Sequence, residues 1–423
     1  MKERMRTPAL LAAWTACAAL LLAFSAQAGE GARQGLSACG SVIIPSLFPF
    51  MVLASFAAAT PVSRVLRRLA ALPARLIWGL PGEAAPALVM SLIGGYPAGA
   101  KVLAAMVDTG ELSPEAASRA LPCCLHAGPA FMAGVAGGAL LGSVRSGLWL
   151  YLCQIAAGAI TGRILRRLLG NRARQASPAS RTERTRESAP APASPGGRRS
   201  GAFAPASGRT SGFASAVPKS LRQAPASEQG LAAAFVASVA DGASGILAIC
   251  AFVVLFSALL GVLEGAGVLS AGGALLSRLS GGRLTREGGV LLLRGLTEIC
   301  SGCSAARGAP VSQLRLFLPF LLSFSSLSVI CQVAAVTAGR GIRLGPFVFS
   351  RLIHGLLTAA LSIPVLRGAG AEAVLASSVR PVPACDGFTL AGTLCLLAMC
   401  AILFAALPAP KAKIVTKSFE RNR

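Results

Sequence analysis

The stretch SLIGGYPAGAK, residues 91–101, interrupts an apolar segment that is otherwise suited to a membrane helix. Its three glycines and one proline are all unfavourable inside a helix. In a bilayer core the backbone groups that such a break frees must be satisfied by protein or by water. The stretch therefore predicts a broken helix whose tip, at Gly94-Gly95-Tyr96-Pro97, faces the protein interior and not lipid.

The composition around this stretch is that of a membrane protein. The chain has 423 residues, 54% hydrophobic and 13% charged, with a mean hydropathy of +0.66. Segments long enough to cross a hydrocarbon core of about 30 Å occur at 8–28, 36–60, 231–263, 344–366 and 387–407. We predict an all-α polytopic membrane protein in the cell membrane.

The net charge of +24 is concentrated beside these segments, as expected for cytoplasmic flanks. It does not indicate nucleic-acid binding, because no basic fold interleaved with aromatic residues is present. Residues 171–230 are rich in Arg, Ser, Pro, Ala and Gly and predict a disordered basic cytoplasmic linker. The linker divides a first membrane repeat, 1–170, from a second, 231–423.

Placing the basic flanks inside gives a path for the chain. Segment 8–28 goes out, 36–60 returns, and 80–107 must begin and end inside, which predicts a re-entrant hairpin. The second half is predicted to run the same course upside down, with its own hairpin at 286–305. Two inverted-topology repeats, each with a re-entrant broken-helix hairpin, are typical of secondary transporters.

The first break supplies one set of candidate substrate-binding residues. A half-helix N-terminus carries partial positive charge that suits an anion, and Lys101 adds a full charge. Glycines allow a ligand or another backbone to approach closely; the alternative is that they serve helix packing in a kinked helix. The predicted residues of this set are Gly94, Gly95, Tyr96, Pro97, Gly99 and Lys101.

The second break supplies the other set. Glu298 lies in an apolar neighbourhood and is predicted either to bind substrate or a coupling ion or to pair with Arg294 one turn earlier. Ser301 and Gly302 belong to the break itself and are predicted site residues with Glu298. The polar stripe after the break, which includes Ser325, Ser326 and Gln332, either lines the pathway or forms hydrogen bonds between helices. His126 and His354 end predicted helices, where proton coupling or a structural role is open.

No hydrolase, kinase or dehydrogenase constellation is present, so we predict a protein that is not an enzyme and needs no cofactor. Cys300 and Cys303 have CxxC spacing without the second pair of a zinc site, and no metal site is predicted. The expected partners are membrane lipid, a small-molecule substrate and a coupling ion, with homo-oligomers left open. The first helix is interpreted as retained, although Ala26-Gln27-Ala28 resembles a signal-peptidase site.

Several motifs resemble the sporulation integral membrane proteins of the YlbJ type, which carry the nucleoside-recognition or Gate domain. They are IPSLFPF at 44–50, GLPGE at 79–83, GGYPAGAK at 94–101, FSSLSV at 324–329 and RLIH at 351–354. The resemblance implies a permease with a dipicolinate-like cargo, in the mother-cell-derived outer forespore membrane. The alternatives are a structural, non-transporting protein of the forespore septum, a nucleoside permease, or a permease subunit with a separate energising partner.

Overall fold

The structure, a computed structural model, describes residues 2–175, 230–306 and 311–367. Every regular element within these ranges is a helix. Five helices are long and apolar enough to cross a membrane, and a sixth span results if one bent pair is counted as a single crossing. Most of the predicted linker, the predicted crossing at 387–407 and the C-terminal tail lie outside the described residues. The polytopic, all-helical prediction is confirmed for the described part, and the chain is a multi-pass membrane protein.

The helices of the first half precede the linker. They are α1 Lys2–Ala23, α2 Ser25–Ala59, α3 Val62–Trp78, α4 Gly82–Gly94, α5 Tyr96–Asp108, α6 Pro114–Ala120, α7 Pro129–Leu140 and α8 Val144–Gln175. The helices of the second half follow it. They are α9 Leu231–Gly265, α10 Val268–Leu279, α11 Arg286–Thr297, α12 Ile299–Ala305, α13 Val311–Phe324, α14 Leu327–Thr337 and α15 Gly345–Arg367.

Helix α2 departs from the predicted path. The sequence predicted two crossings, 8–28 and 36–60, joined by a turn near residue 30. The structure instead has one uninterrupted helix of 35 residues, and the chain breaks earlier, at Phe24. Gly31 and Gly35 of this helix are packing sites. A Cβ on Gly31 would lie 2.2 Å from the carbonyl oxygen of Ser257, so only glycine permits this contact with α9.

Helices α2 and α9 are antiparallel partners of equal length, one from each side of the linker. Contacts run along the whole pair. They join Gly261 to Gln27, Gly31 to Ser257, Cys39 to Cys250, Gly242 to Val52 and Ser55 to Asp241. Small residues at most of these positions let the two backbones approach closely, which is how helices associate in lipid. The pair joins the two halves.

The predicted break at SLIGGYPAGAK is a sharp turn at a single residue. Gly95 has φ 83° and ψ −168°, a conformation that L side chains rarely adopt. Helix α4 ends before it, and α5 begins after it with Pro97 in its first turn, where a missing N–H costs nothing. The two helices fold back on each other, since a Cβ on Gly99 would lie 2.7 Å from Cβ of Ser91.

A second hairpin has the same design. Helices α11 and α12 turn at Glu298, and a Cβ on Gly302 would lie 2.4 Å from Cα of Gly295. Thr285 caps α11 by accepting from the backbone N–H of Gly288, and Ser113 caps α6 by accepting from that of Ala116. From α2 and from α9 onward, a long helix, a short helix, a hairpin, two helices separated by a break and a long helix follow one another in the same order, and α1 precedes this series in the first half.

Candidate functional site

The turns of the two hairpins meet at one small cavity. It has a volume of about 50 Å³, which is room for on the order of three or four water molecules. Helices from both halves complete its wall. The lining residues are Ile43, Leu47, Gly95, Tyr96, Pro97, Gly128, Phe131, Ile249, Val253, Glu298, Ile299, Cys300, Val329 and Gln332. The wall is therefore mostly apolar, with a few polar groups at the turns.

Glu298 is the acidic residue of this wall and is only 1% exposed. Its carboxylate accepts hydrogen bonds from the backbone N–H groups of Cys300, at 3.0 Å, and Ser301, at 2.6 Å. It thereby caps α12 and satisfies two donors that the turn leaves free. Arg294, the alternative partner, bonds instead to Glu264 of α9. Among the described residues, no basic side chain forms an ion pair with Glu298.

Tyr96 connects the first hairpin to a third helix break. Its hydroxyl donates to the carbonyl oxygen of Leu322 in α13. Three residues later, Ser325 and Ser326 separate α13 from α14 with φ of 77° and 47°. Positive φ at two successive non-glycine residues costs on the order of 1–3 kcal/mol each and is concentrated at functional sites. Ser326 compensates in part by accepting from the backbone N–H of Val329 at the start of α14.

Lys101 lies away from the cavity wall. Its ammonium group bonds to both carboxylate oxygens of Asp241 in α9, at 3.0 Å each, and Ser55 of α2 donates to the same carboxylate. The sequence analysis did not single out Asp241. Its signal was present, because an acid inside the apolar segment 231–263 is a functional candidate by default. The pair links the first hairpin to the long helix of the second half.

The other predicted residues support the hairpins. Gly94 and Gly99 provide the close packing of the first hairpin, and Gly302 that of the second. The hydroxyl of Ser301 lies 3.0 Å from that of Ser257 in α9. Gln332 lines the cavity and donates to Ser328 at 3.4 Å. Of the predicted set, the structure brings Gly95, Tyr96, Pro97, Glu298 and Gln332 together at the wall.

A buried polar cluster behind Tyr96 was not predicted as a site. Arg351, His126, His354 and Gln154 are each 0% exposed. The two imidazole rings are edge to face with centroids 5.6 Å apart. Arg351 was predicted only as part of the RLIH motif, and each histidine was considered separately. An arginine inside an apolar segment was the available signal, but only the fold brings these residues together.

No group of three or more His, Cys, Asp or Glu side chains within the described ranges is placed to hold a metal ion. Cys300 is half-buried at the cavity wall, and Cys303 is buried one turn farther along α12.

Comparison with known proteins identifies one informative relative. The sporulation integral membrane protein YlbJ of Bacillus subtilis (strain 168) is 26% identical to this chain over 339 residues. The match covers 78% of this chain and 75% of the relative. No family model matches the chain, and no solved structure matches it. The predicted resemblance to YlbJ-type membrane proteins is confirmed, as is the predicted location in a membrane.

Proposed function

We propose that this multi-pass membrane protein is a secondary transporter or permease for a small anionic metabolite, with a dipicolinate-like compound as its cargo during sporulation. The link to sporulation comes from the relative, which is named as a sporulation protein. Because the relative is named as a sporulation protein, we also propose the outer forespore membrane as the location of this protein. Transport would occur by alternating access around the two hairpins.

One observation carries the proposal: the turns of both hairpins line the same cavity. A helix broken inside a membrane is tolerated only where protein or an aqueous cavity satisfies its backbone. Secondary transporters place such breaks at the substrate site, between two repeats of opposite orientation. The meeting of Gly95 and Glu298 at one wall supports a site of this kind.

The antiparallel pair α2 and α9 supports an inverted arrangement of the halves. Each is a 35-residue helix that starts a series of elements recurring in the same order, after α1 in the first half and directly after the linker in the second. Two copies of one topology whose first helices run in opposite directions would be inserted with opposite orientations in the membrane. On this proposal the hairpins re-enter from opposite sides, and each can open the cavity to one side.

The size of the cavity indicates the conformational step that the proposal requires. A volume of about 50 Å³ accommodates a few water molecules, so an aromatic dicarboxylate requires the cavity to enlarge. The Gly95 turn packs against the backbone of Gly128, where an added Cβ would lie 3.2 Å from the amide nitrogen. Admission of cargo requires a hairpin to move away from such a contact, as in gated secondary transporters.

Glu298 is the group through which we propose that transport is coupled to an ion gradient. An anion about 4 Å from an ionised Glu298 would be repelled by roughly 4 kcal/mol at an effective dielectric constant of 20. A proton on Glu298 removes that repulsion. We therefore assign Glu298 the role of a coupling-proton carrier, so that cargo and proton cross together.

The test is uptake of labelled dipicolinate into proteoliposomes that contain the full-length protein, with and without a proton gradient. Wild type is expected to accumulate the compound when the gradient is imposed. Glu298→Gln is expected to lose gradient-driven accumulation. The matched control Glu30→Gln alters an exposed glutamate of α2 that bonds only its neighbours Arg33 and Gln34, and it is expected to behave as wild type.

Absence of uptake by wild-type protein under every gradient would contradict the proposed cargo. A panel of nucleosides in the same vesicles would then test the nucleoside-permease alternative. Failure of that panel as well would favour the structural protein of the septum.

A further inference from the structure

The guanidinium of Arg351 is buried without a counter-ion. Nη1 donates to the carbonyl of Leu125 at 3.0 Å, Nη2 donates to the carbonyl of Pro122, and Nε donates to Ser350 at 3.4 Å. No carboxylate among the described residues forms an ion pair with Arg351. Nη1 carries two N–H groups and uses one, so at least one donor of this buried cation has no acceptor.

The side chains around Arg351 also have unused hydrogen-bonding atoms. His126 Nε2, His354 Nδ1 and both amide atoms of Gln154 are buried without a partner. His354 Nε2 lies 2.9 Å from the carbonyl oxygen of Gln154 and must carry the proton. Ser91 accepts from the backbone N–H of His126 and can donate its own proton to Nδ1. In that arrangement His126 Nε2–H is a donor without an acceptor.

Buried polar groups in folded proteins are almost always hydrogen-bonded, and each exception needs an explanation. Here the unused donors of Arg351, His126 and Gln154 occur together with a positive charge that has the face of the Phe347 ring 5.1 Å away but no carboxylate partner among the described residues. Histidine and glutamine alone would be equally suited to water. Burying a charge is strongly unfavourable unless an opposite charge accompanies it. The unpaired guanidinium therefore indicates that the missing partner is negatively charged.

We propose that the Arg351 cluster, comprising Arg351, His126, His354 and Gln154, binds the carboxylate of the transported metabolite. This inference rests on the proposed function and adds to it the group that recognises the cargo. A carboxylate has two coplanar oxygens that match the planar guanidinium and can accept from neighbouring N–H donors. The half-helix N-terminus at Glu298 cannot serve this purpose, since the chain's own carboxylate already occupies it.

Tyr96 connects the cluster with the cavity. Its ring lines the cavity wall, while its hydroxyl lies near Gln154 and within electrostatic reach of Arg351. A movement of the first hairpin that displaced Tyr96 from Leu322 would open the cluster to the cavity. The cargo would then place its carboxylate at Arg351 and its ring against the apolar wall.

Gln154→Met separates a binding role from a structural one. Neither amide atom of Gln154 forms a hydrogen bond of normal geometry, and the neighbouring Tyr96 hydroxyl donates to Leu322 instead, so methionine, of similar length, removes little hydrogen bonding from the fold. A merely structural residue would give unchanged or raised stability and unchanged binding. The matched control is Gln34→Met, at an exposed position of α2. Arg351→Lys, which keeps the charge but loses the planar guanidinium, is the second variant.

The experiment measures the thermal unfolding midpoint of purified full-length protein as dipicolinate, benzoate, chloride or neutral nicotinamide is titrated. Ligands that bind the folded state raise the midpoint in a concentration-dependent way. Dipicolinate and benzoate are expected to raise that of wild type and of Gln34→Met. Gln154→Met is expected to unfold at or above the wild-type midpoint without ligand and to bind dipicolinate about tenfold more weakly. Arg351→Lys is expected to weaken binding further.

Three results would overturn the assignment: no carboxylate stabilises wild type, chloride stabilises it while carboxylates do not, or Gln154→Met and Arg351→Lys bind dipicolinate as wild type does. Uptake in proteoliposomes distinguishes this failure from that of the transport proposal. Wild type that binds dipicolinate but does not move it leaves the site standing and refutes transport. Uptake by both variants with wild-type KM refutes the site and leaves transport standing.

Discussion

Gly99→Ala is expected to destabilise the first hairpin strongly. The new Cβ would lie 2.0 Å from the carbonyl oxygen of Cys124 and 2.7 Å from Cβ of Ser91. A carbon normally contacts a carbonyl oxygen at about 3.3 Å or more. The backbone of α5 or of the segment before α7 must therefore shift by roughly 1.3 Å, and overpacking of this kind typically costs about 1–3 kcal/mol.

The matched control is Gly40→Ala, because a Cβ on Gly40 would meet nothing within 4 Å. In a helix interior, alanine is favoured over glycine by about 0.5–1 kcal/mol. Gly99 also lies within a helix, so this preference acts at both positions, and the two variants should differ by the cost of overpacking alone, roughly 1–3 kcal/mol in free energy of unfolding. The assay is chemical unfolding of the purified protein in detergent, followed by tryptophan fluorescence. Equal stability of the two variants would refute the packing of α5 against residue 124.

Other substitutions test the remaining contacts by the same unfolding assay. Glu298→Ala is expected to cost about 1 kcal/mol, because it leaves two N–H groups of α12 uncapped; wild-type stability would show that the cap is absent. Lys101→Ala and Asp241→Ala should each lower the free energy of unfolding, because a single replacement leaves the other charge unpaired. The double variant should lose less than the sum of the two single losses, and strict additivity would refute the ion pair. Gly31→Leu should disrupt the pairing of α2 with α9, whereas Gly29→Leu, with nothing within 4 Å of a Cβ, should be tolerated; equal effects would refute the close approach.

The sequence predicted the break at Gly95 correctly because the requirement is local. Few residues other than glycine adopt φ 83° with ψ −168°, and Pro97 suits the first turn of the next helix. The course of α2 was predicted wrongly, because the positions of the basic flanks required a turn between two crossings, whereas Gly31 and Gly35 pack against α9 within one continuous helix.

The site was less accessible to prediction than the fold. Lys101 was predicted as a free charge at the site, and the structure pairs it with the carboxylate of Asp241, more than a hundred residues away. Glu298 was expected either to bind substrate or to pair with Arg294, yet its nearest partners are backbone N–H groups of its own turn. Contacts between residues far apart in the sequence decide which charges remain unpaired, and the local spacing of residues does not reveal those contacts. The grouping of polar side chains around Arg351 depends entirely on such long-range contacts.

Accessibility of Cys300 tests most directly whether cargo passes between the hairpins. Cys300 is half-buried and lines the cavity, whereas Cys17 is exposed on α1. Two variants, one retaining only Cys300 and one retaining only Cys17, are reconstituted, checked for uptake and alkylated with a small maleimide. If the cavity is the cargo site, dipicolinate should slow alkylation of Cys300 and leave that of Cys17 unchanged. Equal alkylation of Cys300 with and without saturating cargo, in protein that still transports it, would contradict a route between the two hairpins.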